Sequence, residues 1–221
     1  MNPYSHLIAA NTLEAYLHPQ NLEEYYLGAV IPDVRYYSNL PREQTHIEPE
    51  EIVGFAARYP ELKSFVLGYL AHYEADEINT ADYVMQRFPF SLLKERLPKQ
   101  VPPVLVECYY IEKRKPSIKV SESSNAMLDS LEIAAEDVVA FARSVNAFLA
   151  NPTLEFGLTT IRKLGLLSNP GVEKYVNVAR TIQRSSVLRG LLFAGIDATE
   201  IDRQLMSRAL SSEATRRLDK T

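Results

Sequence analysis

His72 and Asp76 stand four residues apart in the stretch LKSFVLGYLAHYEAD, 62–76. On a helix that spacing sets an imidazole and a carboxylate on one face, a turn apart, where both can reach one cation. The run ahead of them, Phe65, Val66, Leu67, Tyr69 and Leu70, is strongly apolar, so the stretch reads as an amphipathic helix ending in a chelate. A polar pair at the end of a buried helix needs partners, because burying bare polar groups is costly. A metal ion satisfies both; a histidine hydrogen-bonded to a carboxylate one turn on is the alternative. Three more residues of ligating type precede the helix: His6 in SHLIA, Asp33 in IPD and His46 in QTHIE. Zinc takes imidazole nitrogen and carboxylate oxygen, about four donors per ion. Three histidines and two aspartates suffice for one full site, or for a two-ion site with a bridging carboxylate and positions left for water. Ions about 3.5–4 Å apart stabilise attacking and leaving oxygens together, a design suited to phosphoester hydrolysis.

Each of these residues has a plainer reading beside the chemical one. Asp33 follows Pro32 and fits a turn; His46 fits an exposed loop. Arg35, two residues past Asp33, could neutralise a phosphate or be a surface arginine. Glu107 lies in an apolar stretch and offers an extra or supporting carboxylate. Asp82 offers another, but at ~3.6 residues per turn it falls about 280° round an ideal helix from His72. Manganese, iron and nickel accept the same donors as zinc.

The elements that must hold these residues are helices. Residues 5–17 keep a helical period with Ser5 as N-cap, and His18-Pro19 ends them. Asn21 caps a helix over 22–30, weakened by Gly28 and stopped by Pro32. Residues 33–47 read as a long ordered loop. Pro49 opens a helix to Tyr59, and Pro60 opens the central one, which runs to Phe88 or breaks near Asn79. Four prolines make 88–103 a loop around one short helix. A largely apolar helix follows over 102–114, then a polar link over 115–124. Helices are predicted over 127–149, 153–167, 171–194 and 198–218. The fold class is all-α, with roughly eight to ten helices if each averages about 11–12 residues plus loops. Residues 1–114 form a metal-binding helical core. Residues 125–221 form a helical part packed on the same domain.

Composition bounds the function. Of 221 residues, 46% are hydrophobic and 24% charged, ordinary values for a chain with a substantial core. The net charge of −4 gives no strong nucleic-acid or anionic-membrane signal. Residues 1–100 carry 8 Lys/Arg against 14 Asp/Glu, residues 101–221 carry 16 against 14, and all four histidines lie in the acidic first part. The single cysteine, Cys108, excludes an internal disulfide. No signal segment and no transmembrane run are read, so the expected compartment is cytoplasmic.

Taken in order, His6 in SHLIA, Asp33 after GAVIP, His46 after Thr45, and GYLAHYEAD at 68–76 resemble the zinc-dependent phospholipase C family. Fungal single-strand nucleases share its all-helical fold. The likeness covers roughly residues 1–85. It implies a multi-helical phospholipase C/nuclease-like bundle, here with additional C-terminal helices. It implies one zinc on His46, His72 and Asp76, and a second on His6 with Asp76 bridging. Asp33 would then serve as catalytic base at the bridging water or as an extra ligand. The family also uses an N-terminal amino group, whereas five residues precede His6 here. Its histidine ten residues past the central one is Asp82 in this chain. Its later His-x-x-x-Glu helix has no counterpart, because no histidine follows His72 and the helix over 102–114 offers only Glu107 and Glu112. One or two ions are therefore expected rather than three. The implied activity is a zinc-dependent hydrolase acting on a small phosphoester or phospholipid-derived substrate. Since fold does not fix function, the alternative is a non-catalytic helical interaction protein with a structural or vestigial metal site. A homo-oligomer is compatible with either.

Overall fold

Prolines and asparagines punctuate the chain, and the helices begin and end on them. In the computed structural model the described residues are 3–78, 86–87, 101–114, 116–163, 172–194 and 198–212. Among them every regular element is helical and none is a strand, as the sequence predicts. Helix α1 (Pro3–Leu17) already contains Ser5, so Ser5 is not its cap; its hydroxyl donates instead to Glu107. The helix closes at His18, whose N–H reaches the Glu14 carbonyl at 3.0 Å with φ at 48°. That left-handed residue replaces the extended one expected before Pro19.

Helix α2 (Leu22–Val30) has the expected Asn21 cap, which accepts from the Glu24 N–H, with Glu23 and Glu24 against its positive end. The chain does not then become an irregular loop. Pro32 opens a 3-10 turn, Ile31–Val34, and two one-turn helices follow, α3 (Arg35–Ser38) and α4 (Arg42–Thr45). Proline in a first turn gives up no helical hydrogen bond, so it starts this segment rather than stopping the last. Asn39, at φ 58°, separates the two short helices.

Helix α5 (Pro49–Arg58) begins on Pro49, and Pro60 opens a short 3-10 turn ahead of α6 (Lys63–Asp76). Nearly every residue from Ser64 to His72 is buried. The helix is therefore not amphipathic but enclosed on all sides, with α1, α2, α5 and the last helix, α13 (Ala198–Ser211), around it. Its closest neighbour is α2. A Cβ on Gly28 would overlap the Phe65 carbonyl oxygen and lie 3.0 Å from the Tyr69 nitrogen. One on Gly68 would overlap the Tyr25 carbonyl oxygen and lie 2.9 Å from the Ala29 nitrogen. Gly28 thus costs helix propensity but allows two backbones to touch.

Helix α7 (Val101–Arg114) follows. The polar link after it is docked: the Asn146 side chain pairs with both the N–H and the carbonyl of Val120 at 2.9 Å. The helix expected over 127–149 is two, α8 (Ala126–Ser130) and α9 (Ala135–Ala150). Between them Glu132 adopts φ 55°, with Glu132 N–H to Asp129 and Ile133 N–H to Leu128, both at 3.1 Å. This is the paired closure usually made with glycine, which is why the sequence hides it. Helices α10 (Leu154–Lys163), α11 (Val172–Arg184) and α12 (Ser186–Ala194) complete the set, Ser185 dividing the span expected as one helix over 171–194. Expectations for 79–85, 88–100, 164–171 and 213–218, Asp82 among them, lie outside the described residues. Helix α13 returns to the first part of the chain: Thr12 donates to Asp202 at 3.0 Å, and Arg208 lies 3.3 Å from Glu74. No helix among the described residues is long and apolar enough to cross a membrane.

Candidate metal centre

The five predicted ligands come together at the C-terminal end of α6. His6 projects from α1, Asp33 from the 3-10 turn, His46 from the residue after α4, and His72 and Asp76 from α6 itself. Asp76 lies among the three histidines. Its Oδ1 is 3.5 Å from His6 Nε2; its Oδ2 is 3.7 Å from both His46 Nε2 and His72 Nε2. His6 Nε2 is also 3.5 Å from Asp33 Oδ2. The His6 and His72 rings stack, centroids 3.6 Å apart. His6 and His72 are fully buried and Asp33 nearly so, while the Asp76 side chain is 20% exposed. The cluster is therefore sealed on the α1 side and open at Asp76.

Each imidazole is aimed by a neighbour. His72 Nδ1 lies 2.9 Å from the Ala29 carbonyl oxygen. A carbonyl only accepts, so Nδ1 carries a hydrogen, and in the neutral form of the ring a bare Nε2 is turned towards Asp76. His46 Nδ1 lies 3.1 Å from Thr45 Oγ1, which donates its own hydrogen to the Arg42 carbonyl; this ring too presents a bare Nε2. The backbone on both sides of His46 is gripped from α6. Tyr69 donates to the Thr45 carbonyl and accepts from the Ile47 N–H, and Tyr73 donates to the Ile47 carbonyl.

The electrostatics of this arrangement call for a cation. Bare imidazole nitrogens facing carboxylate oxygens set lone pair against lone pair unless something positive lies between. A proton is disfavoured there: burial, joined by the field of His72, holds His6 well below its ordinary pKa, and burial lowers His46 as well. Burial raises the Asp33 carboxyl to about 6. Burial pushes Asp76 up too, but hydrogen bonds and positive charge from the facing imidazoles, when they carry a proton, bring that carboxyl well below the usual range. Both His6 nitrogens, His72 Nε2 and Asp33 Oδ2 are buried without a hydrogen-bond partner, a costly state for polar atoms. Donors ~2.0–2.1 Å from a tetrahedral ion lie roughly 3.3–3.4 Å from one another. The observed 3.5–3.7 Å separations need only small inward shifts.

Among the described residues two groups of donors could hold a metal ion: His6, Asp33 and His72, and His46, His72 and Asp76. His72 has one nitrogen to give, its other being committed to Ala29, so it serves one group at a time. Asp76 faces His6 with one oxygen and the remaining histidines with the other, the disposition of a bridge.

The other predicted residues fall elsewhere. Glu107 is buried beside Ser5, one residue from His6, but belongs to neither donor group. Arg35 is not a simple surface arginine: its guanidinium stacks on the Tyr36 ring at 4.0 Å and donates to the Tyr36 hydroxyl. Sequence reading missed Arg42, whose Nη2 lies 3.3 Å from Asp76 Oδ2. It also missed Thr45, Tyr69, Tyr73 and the Ala29 carbonyl. The i, i+4 tyrosines flanking His72 on α6 were the one available signal. The chain matches no protein-family model, no curated protein and no solved structure.

Proposed function

We propose that this chain is a metal-dependent hydrolase of phosphoesters, of the zinc phospholipase C-like type. The observation that carries the reading is the set of buried, partnerless donor atoms on His6, Asp33 and His72, gathered within 4.8 Å of one another. Imidazole and carboxylate donors at this spacing suit zinc, without excluding manganese, iron or nickel. Two ions would divide the donors as His46, His72 and Asp76 for one, and His6 with Asp76 for the other, with Asp33 beside His6 free to act as base. At most three protein donors per ion leave positions for water and substrate, whereas a structural clip closes its ion with four.

Bound zinc supplies Lewis acidity, lowering the pKa of a water towards neutrality and offsetting phosphate charge. The protein does the rest. Asp33, buried with its carboxylate 3.5 Å from His6 Nε2, takes the proton of the attacking water. His72 is held to one tautomer by the Ala29 carbonyl. Burial of His6 against α6 keeps bulk water from the inner side.

The test is metal analysis with hydrolysis of p-nitrophenyl phosphate and bis-p-nitrophenyl phosphate by wild type and Asp33→Asn. The wild type binds metal and turns over an ester. The variant keeps metal at the His46 group and loses roughly 10²–10⁴-fold in kcat, the usual contribution of a general base. A metal-loaded wild type that cleaves neither ester would refute the enzyme and favour the structural clip.

A further inference from the structure

Arg42 is the exposed cation of the site. Its side chain is 53% exposed, while His6, Asp33 and His72 are buried, and it approaches Asp76 from the open side. Its main chain is tied to a ligand: the Arg42 carbonyl accepts from the His46 N–H at 2.8 Å and from Thr45 Oγ1 at 3.4 Å. Moving His46 into place therefore moves Arg42 with it. Asp76 Oδ2 faces His46, His72 and Arg42 together. Once that oxygen shares its charge with a divalent cation between the imidazoles, it holds the guanidinium less tightly. A half-exposed ion pair is weak to begin with, so Arg42 is released at little cost. A guanidinium freed at the mouth of a cation-binding site presents a planar fork that fits two phosphate oxygens.

We propose that Arg42 turns from Asp76 onto the phosphate of the substrate and favours a doubly charged phosphomonoester over a singly charged diester. The assignment rests on the hydrolase reading above and names its substrate class.

Zinc-loaded wild type, Arg42→Ala and Arg42→Lys are compared by zinc content, by affinity for inorganic phosphate, and by KM and kcat on the same two nitrophenyl esters. Zinc content stays at the wild-type level in both variants. Arg42→Ala weakens inorganic phosphate roughly tenfold to a hundredfold, the range for a lost charge-assisted hydrogen bond. Its KM for the monoester rises by a similar factor, with a smaller change in kcat and a narrowed monoester-to-diester ratio, and Arg42→Lys recovers part of each. An active, zinc-loaded Arg42→Ala with wild-type phosphate affinity overturns the assignment and leaves the hydrolase reading standing. So does loss of zinc from the variant, which would make Arg42 a support for the ligands. A wild type without zinc, or without hydrolysis, overturns both.

Discussion

Adding zinc to the metal-free chain raises its melting temperature, and the gain shrinks as the medium is acidified. The zinc concentration sets the magnitude, and Asp33 sets the pH dependence. Its carboxyl moves from 3.8 to about 6 on folding, through burial. At neutral pH the metal-free protein therefore holds a buried charge without a cation, at a cost of order 3 kcal/mol at ~1.4 kcal/mol per pKa unit. The sign runs as it must for a raised carboxyl: this cost is absent at low pH and grows as pH rises through about 6. A bound ion removes it. Free zinc at about 100 times its dissociation constant adds ~2.7 kcal/mol. At ~2–4 °C per kcal/mol for a chain of this size, the melting temperature should rise by roughly 5–11 °C near pH 7.5. Below about pH 6 the gain must fall, because zinc competes with a proton on Asp33. His6 and His46 act in the opposite sense on the metal-free protein. Their pKa values are lowered by burial, so stability falls as pH drops through 6.5, where the unfolded chain takes up protons the folded one refuses. Thermal unfolding followed by circular dichroism, in EDTA and in zinc at pH 5, 6 and 7.5, separates these effects. Melting curves that coincide in zinc and EDTA at pH 7.5, or a zinc gain as large at pH 5 as at 7.5, would refute the reasoning.

Two further substitutions probe how the site is held. Gly68→Ala puts a methyl group against the Tyr25 carbonyl and the Ala29 nitrogen, both main chain. It should cost about 3 kcal/mol, the upper end of overpacking, read as a shifted urea midpoint, whereas Gly54→Ala, with open space around it, should be neutral or stabilising. Tyr69→Phe and Tyr73→Phe release the backbone flanking His46. Together they should weaken zinc binding by roughly 10–100-fold, as lost outer supports do, with the helical circular dichroism unchanged; isothermal titration with zinc is the check.

The helical character of the chain and most long-helix boundaries were legible because proline and asparagine act locally. Asn21 and Asn125 satisfy N–H groups two or three residues ahead, and Pro49 needs only a first turn. The short helices between Asp33 and His46 were not legible, since one turn is too brief to show a period and is held by tertiary contacts such as the Tyr69 hydroxyl. The reversal at Glu132 escaped because a glutamate occupies a position where glycine is the usual marker. The ligand set was readable as a list of side chains in order. Their aim was not, because it depends on the Ala29 carbonyl, which every residue possesses and no sequence distinguishes. Arg42 was missed for a related reason: only the fold of α4 carries it to Asp76.

The contact between Gly28 and Gly68 has a consequence for how this centre can change. Peptide planes already in contact leave no room for α2 and α6 to draw nearer, and nothing compressible separates them. Ala29 and His72 extend from that seam, so the inner imidazole is registered by an acceptor that replacing the side chain of residue 29 would not delete. Half of the candidate donor set is thereby frozen in the scaffold. The outer half follows a single helical turn, tied to α6 by the Tyr69 and Tyr73 hydroxyls. Retuning this protein for another ion or another anion should proceed from that turn, with the inner wall serving as a fixed jig.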